Sequence, residues 1–240
     1  MANVLCVCAH PDDEVLGCGG TIARHAASGD AVTVLFMTYG VGSRREGGTD
    51  EDHRLASQAL IEQIEAREAA ANTAAEILGF KWFYASRAAR PQPFSDQRLD
   101  DYGMLELTQS IEIAAETLKL NIVYTHWKGD LNLDHAITAR AVLAAFRPVP
   151  GSTVEAIYGF EVPSSTEWGL EPFMPDYFVE IDGAAQQKKM EALLAYESEM
   201  RPTPHARSFG AVTALATFRG NTVGVEQAEA FHTYRRMERA

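Results

Sequence analysis

The sequence predicts a single α/β domain over residues 1–240. It is a three-layer sandwich whose mostly parallel sheet is covered by helices on both faces, with a C-terminal α-helical and irregular extension. Short apolar, β-branched runs alternate with longer stretches in which apolar residues recur at helical spacing. A strand, a helix and a second strand connect by a right-handed crossover, which makes the strands parallel and buried on both faces. The size agrees: 240 residues, 46% of them hydrophobic, suffice for one large core.

The elements follow in order. Residues 4–9 read as a buried strand, and residues 15–27 as a helix closed by Ser28-Gly29. Residues 31–38 form a second apolar strand. Residues 39–52 lack periodicity and hold Gly, Arg, Asp and Glu, the composition of a mobile loop or lid. Residues 55–78 repeat apolar positions at helical spacing until Gly79, and residues 81–85 read as a short strand. Residues 86–102, with two prolines and many charges, read as irregular. A helix over 104–118, a strand over 121–126, a helix over 134–146 and a strand over 156–161 come next. Beyond them lie proline-rich turns, a helix around 184–199 and a final helical segment near 226–236.

Composition narrows the function. A net charge of −12 disfavours nucleic acid or an anionic membrane as partner, though not an anionic small molecule in a local basic pocket. No apolar run is long enough for a membrane span. The first residues lack the basic start and apolar core of a signal peptide, so a cytoplasmic protein is expected. The three cysteines form no C-x-x-C pair and read as reduced core residues, with Cys6 and Cys8 on one strand face. Association into a homo-oligomer is compatible with all of this.

Two strand exits carry the chemistry. The first runs into His10-Pro11-Asp12-Asp13-Glu14. The strand over 121–126 ends at His126 and runs into Asp130-Leu131-Asn132-Leu133-Asp134-His135. In parallel α/β sheets, ligands bind beyond the carboxyl ends of strands where the strand order reverses. If these two strands are neighbours there, both clusters face one crevice. A catalytic zinc takes three protein ligands and leaves a position open. His10 and Asp13, three residues apart in a turn entering a helix, can converge on one ion, and His135 is the best third ligand. Asp12 would point differently and could take the proton of an attacking water. Glu14 opens the helix, where a carboxylate favours the helix dipole. Capping would explain Asp12 or Asp13 alone, but three adjacent carboxylates repel one another unless a cation or proton relieves them. Gly17-Cys18-Gly19-Gly20 comes too late after the strand for a dinucleotide fingerprint and suits close approach of helix to sheet.

With its Ala9-His10-Pro11-Asp12-Asp13-Glu14 stretch and downstream Asp134-His135 pair, the sequence resembles the zinc-dependent N-deacetylases of the PIG-L/LmbE family. Gly20-Thr21, Ala66-Arg67-Glu68 with Leu78-Gly79, and Gly224 followed by Ala228-Glu229-Ala230-Phe231 add support. The resemblance implies a Rossmann-like fold and hydrolysis of an acetamide, usually on an amino sugar. It implies zinc, or another divalent metal, held by His10, Asp13 and His135, with Asp12 as general base. Arg67 falls where the family tends to place a substrate-contacting arginine; a solvated helix charge is the other reading.

One position departs from the family. Many members carry a histidine where this chain has Asn132, and that histidine is thought to help stabilise the oxyanion. Either Asn132 serves as a neutral donor, or His205 or His126 covers the role. The expected activity is metal-dependent removal of the N-acetyl group from an N-acetylated amino sugar or its conjugate, nucleotide- or lipid-linked sugars included. A metal-dependent phosphoester hydrolase and a non-catalytic sugar binder are the alternatives. Arg44 and Arg45 in the lid, and Arg87, Arg90 and Arg98 in the next irregular stretch, suit phosphate or carboxylate. Trp127 and Trp168 could stack on a sugar or pack in the core.

Overall fold

The computed structural model describes residues 1–42, 50–85 and 92–238, with residues 50–57 described by their backbone. The strands are β1 (Asn3–Cys8), β2 (Ala31–Phe36), β3 (Lys81–Tyr84), β4 (Ile122–His126), β5 (Ala156–Phe160), β6 (Tyr177–Glu180) and β7 (Ala228–Arg236). The helices are α1 (Asp13–Ala27), α2 (Asp50–Leu78), α3 (Met104–Ala115), α4 (Leu133–Ala145), α5 (Gly183–Ala195) and α6 (Phe209–Asn221). Residues 43–49 and 86–91, which hold Arg44, Arg45, Arg87 and Arg90 and half of the expected lid, lie outside the described residues.

The sheet order is β3-β2-β1-β4-β5-β7-β6, with β1 to β5 parallel. Successive side chains of one strand enter opposite layers. Val4, Cys6 and Cys8 join the core under α1, α2, α5 and α6, while Leu5 and Val7 join the core under α3 and α4. Cys6 and Cys8 thus share a face, as the alternation predicts, and with Cys18 they are buried free thiols. Because β2 lies on one side of β1 and β4 on the other, the strand order reverses between β1 and β4. Both polar strand exits therefore open at the switch point.

The segment 226–236 is not a helix. Its described core is β7, antiparallel to both β5 and β6. The Ala- and Glu-rich start of the segment favours a helix locally. Pairing on two sides and burial of Ala228, Ala230 and Phe231 outweigh that preference. The C-terminal region carries the expected helix at 184–199, as α5 and a 3-10 turn over Glu197–Glu199, and also supplies β6, β7 and α6.

The glycines of α1 have a packing reason. A Cβ on Gly17 would lie 2.2 Å from the Phe160 ring, and one on Gly20 would lie 2.6 Å from Ile181. The helix also breaks at Cys18, where φ is −148° and ψ is 25°. A buried ion pair takes up the backbone groups freed there. Lys189 Nζ donates to Leu16 O over 2.9 Å and to Glu229 Oε1 over 2.6 Å, while Gly20 N and Thr21 N donate to the Glu229 carboxylate. Glu229 on β7 thereby ties the antiparallel end of the sheet to the helix that follows the first polar cluster.

Candidate active site

The turn from β1 into α1 is pinned from several sides. Ala9 N donates to His126 Nε2 over 2.9 Å, joining the exit of β1 to the end of β4. His10 N donates to Asp13 Oδ2 over 2.9 Å. Asp12 occupies the helix N-cap with φ 120° and ψ −28°, a backbone region that side-chain-bearing residues rarely adopt. Its carbonyl accepts the first helical N–H groups, from Val15 and Leu16.

The structure brings His10, Asp13 and His135 together. His10 Nδ1 lies 3.2 Å from Asp13 Oδ2 and 3.3 Å from His135 Nε2, and His135 Nε2 lies 3.4 Å from Asp13 Oδ1. A tetrahedral ion with ligand bonds of about 2.0–2.2 Å holds its ligand atoms roughly 3.3–3.6 Å apart. Asp13 Oδ1 is buried with no hydrogen-bond partner among the described residues, the kind of orphaned acceptor a cation satisfies. These three residues therefore fit a divalent ion. The far nitrogens of both rings meet carboxylates. His10 Nε2 faces Asp134 Oδ2 at 3.3 Å and Asp96 Oδ1 at 3.1 Å, and His135 Nδ1 faces Asp130 Oδ1 at 3.3 Å. Such partners orient a ligating imidazole and raise its basicity.

The electrostatics favour positive charge at this point. Burial opposes ionisation of Asp13, yet the imidazoles of His135 and His126 hold its carboxyl well below the usual range. Burial likewise opposes charge on His135, but Asp13 and Asp130 carry it up to about 9. His126 is different. Burial and the neighbouring His135 push it well below its ordinary value, and its ring stacks on His135 at 4.1 Å between centroids.

Asp12, only 3% exposed, sits beside this cluster under two guanidinium groups. Arg207 Nη1 donates to its Oδ2 over 3.0 Å, and Arg67 Nη1 lies 3.7 Å away. Burial raises its carboxyl to about 6, with Arg207 and Arg67 opposing and Asp13 adding to the rise. A base in that range is matched to neutral pH.

The other expected residues are placed as follows. Asn132 caps α4, its Oδ1 accepting from Asp134 N and His135 N. Arg67 is buried, donating to Pro11 O and pairing with Glu199, so it is not a solvated helix charge. His205 is exposed, and its Nδ1 accepts from Arg207 N over 3.0 Å. Glu14 lies in the first turn of α1 but is fully buried, with its carboxyl turned back to Asp12 N. Trp127 packs in the interior against Phe173, His232 and Tyr234, whereas Trp168 is exposed. Arg98 pairs with Asp101 at the surface.

Sequence reasoning assigned no role to Arg207, Asp96, Asp130 or Tyr196. Arg207 stands two positions from His205, which the sequence offers as an oxyanion donor. Asp130 opens the second polar cluster. Asp96 and Tyr196 carry no local signal, because only the tertiary fold brings them to the turn.

The chain is 28% identical over 201 residues to the uncharacterised deacetylase YaiS of Escherichia coli (strain K12), covering 82% of this chain and 91% of that protein. It is 27% identical over 210 residues to the diacetylchitobiose deacetylase of Thermococcus kodakarensis, covering 82% and 70% respectively. Among solved structures, the conserved protein TT1542 from Thermus thermophilus superposes with a TM-score of 0.72 at 26% identity, covering 100% of this chain and 98% of that one. The 4-carboxy-2-hydroxymuconate hydratase GalB of Pseudomonas putida KT2440 shares the fold, with a TM-score of 0.70 at 24% identity and full coverage of both chains (100% each). The PIG-L family model, described as GlcNAc-PI de-N-acetylase, matches residues 5–146, more than half of the sequence, and the chain belongs to this family.

Proposed function

We propose that the protein is a metal-dependent N-deacetylase that hydrolyses the acetamide of an N-acetylated amino sugar or its conjugate. The carrying observation is the Asp12 carboxylate beside the convergent His10, Asp13 and His135 at the switch point of the sheet. The deacetylase names among the relatives support the same reaction.

His10, Asp13 and His135 would hold the ion. Two imidazoles and one carboxylate suit zinc, with iron or another divalent ion compatible with the same set. The ion supplies Lewis acidity toward the acetamide carbonyl and lowers the pKa of water. Asp12 accepts a proton from the attacking water and returns it to the amine nitrogen as the C–N bond breaks, giving acetate and a free amine. Arg207 keeps the Asp12 carboxylate ionised and directed. Asn132, whose Oδ1 is committed to capping α4, offers its Nδ2 as a neutral donor to the developing oxyanion. His205, exposed and bonded to Arg207 N, serves the turn that delivers Arg207.

Metal analysis combined with acetate release from a panel of N-acetylated amino sugars tests this reading. Phosphate release from phosphorylated sugars and hydration of an unsaturated acid form the control arms. Acetate release that depends on bound metal supports the proposal. Activity confined to a control arm, or sugar binding without turnover by the metal-loaded protein, overturns it.

A further inference from the structure

We propose that Glu14 is a positioning residue for Asp12: with Tyr196 and Arg67 it clamps the Pro11–Asp12 peptide and so fixes the direction of the Asp12 carboxylate. This rests on the assignment of Asp12 as the base.

Pro11 O and Asp12 N–H are the two polar ends of one peptide unit. Arg67 Nη1 donates to Pro11 O over 3.0 Å, and Asp12 N donates to Glu14 Oε2 over 2.9 Å. Both ends of the plane are thus held by side chains, one from α2 and one from α1. The Glu14 carboxyl is itself locked, because Tyr196 Oη bonds its other oxygen over 2.9 Å. Glu14 and Tyr196 are 0% and 1% exposed, so water does not compete for these bonds.

The clamp has something to hold. At φ 120° the Asp12 backbone is in a region disfavoured for any residue with a Cβ, and such strain persists only where the surroundings over-determine it. Relaxing φ at Asp12 requires the Pro11–Asp12 plane to turn relative to the Asp12 Cα, and any accompanying shift of that Cα redirects the Asp12 side chain. Both hydrogen bonds oppose that rotation. A first-turn helix charge would account for a solvated Glu14, but not for one buried and turned back onto the preceding residue. An apolar side chain would fill the same space without the cost of burying a carboxyl.

The test is kinetic and structural. Glu14→Ala should lower kcat about 100-fold, the cost of a displacement of about 1 Å at a reacting group, with KM and metal content unchanged. Glu14→Gln, which keeps an acceptor for Asp12 N, should restore kcat to near the parent value, and Tyr196→Phe should fall between. In an Asp12→Asn background, Glu14→Ala should cost nothing further, because its effect runs through Asp12. Crystal structures read the clamp without any activity: residue 12 should leave the positive-φ region in Glu14→Ala and keep it in Glu14→Gln. Parent kcat in Glu14→Ala, equal losses in the Ala and Gln variants, or an unchanged residue-12 backbone in Glu14→Ala overturns the inference. If Glu14→Ala does not fold, parent kcat in metal-loaded Tyr196→Phe overturns it instead. A parent protein inactive on every acetamide would sink the proposed function, while the crystal structures still decide the clamp.

Discussion

Arg207 and Asp12 stand 195 positions apart in the chain, and Arg207 Nη1 donates to Asp12 Oδ2 over 3.0 Å. The arginine is fixed in turn by its Nε, which donates to Ser164 Oγ over 2.9 Å. A hydrogen bond to a charged group contributes about 1.5–3 kcal/mol, roughly tenfold to a hundredfold in rate. Arg207→Ala should lower kcat by about that factor while metal content holds. Arg207→Lys keeps the charge but not the forked geometry, so it should recover only part of the loss. Steady-state kinetics with metal analysis decide the matter, and parent kcat in Arg207→Ala would remove Arg207 from the site.

Asp12→Asn keeps size and much of the hydrogen bonding but abolishes basicity. General-base assistance contributes about a hundredfold to ten-thousandfold, so kcat should fall within or beyond that range with metal and fold retained. The pH profile follows from the sign of the shift. Burial raises Asp12 to about 6, and the group works as a base only when ionised, so activity is lost as pH falls through that value. A cation at the adjacent ligands moves the limb lower. The parent enzyme should therefore show an acidic limb at or below about pH 6 that is missing from Asp12→Asn. Near-normal turnover in the variant, or loss of its metal, would refute the division of labour between Asp12 and Asp13.

His135→Ala should abolish stoichiometric metal binding, because it removes one of three convergent ligand residues. Asp13→Asn should weaken binding less and be partly rescued by excess metal. Full occupancy in purified His135→Ala, measured by elemental analysis, would take His135 out of the ligand set.

The Lys189–Glu229 pair gives a prediction about stability. Each side chain is about 4% exposed, and the pair satisfies the broken helix at Cys18. Removing one partner of a buried pair leaves an uncompensated charge and costs about 3–5 kcal/mol. Lys189→Met should lower stability by that amount in urea denaturation, and Lys189→Met with Glu229→Gln should recover part of it. A single variant as stable as the parent would show that the pair does not support the kink.

The elements with period-two or helical patterns, β1 through β5 and α1 through α4, were legible because burial on a sheet or against a helix acts on local spacing. Cys6 and Cys8 fell on one face for that reason, and Gly17 and Gly20 declared a close approach before its partners were known. The His10, Asp12, Asp13 and Asp134-His135 clusters were legible because the strand exits at a switch point carry their chemistry in contiguous residues. The strand β7 was not, since an Ala- and Glu-rich start favours a helix until pairing with β5 and β6 overrides it. Nor could local spacing reveal Arg207 on Asp12, Asp96 on His10, or Tyr196 on Glu14. Each joins residues distant in sequence, and only chain packing sets their separation. Contiguous residues at two strand exits specify which groups can move a proton or hold a cation. The tertiary structure decided how they are held: the left-handed turn at Asp12, the guanidinium groups over it and the carboxylates behind each imidazole, because orientation and desolvation are properties of the packed interior.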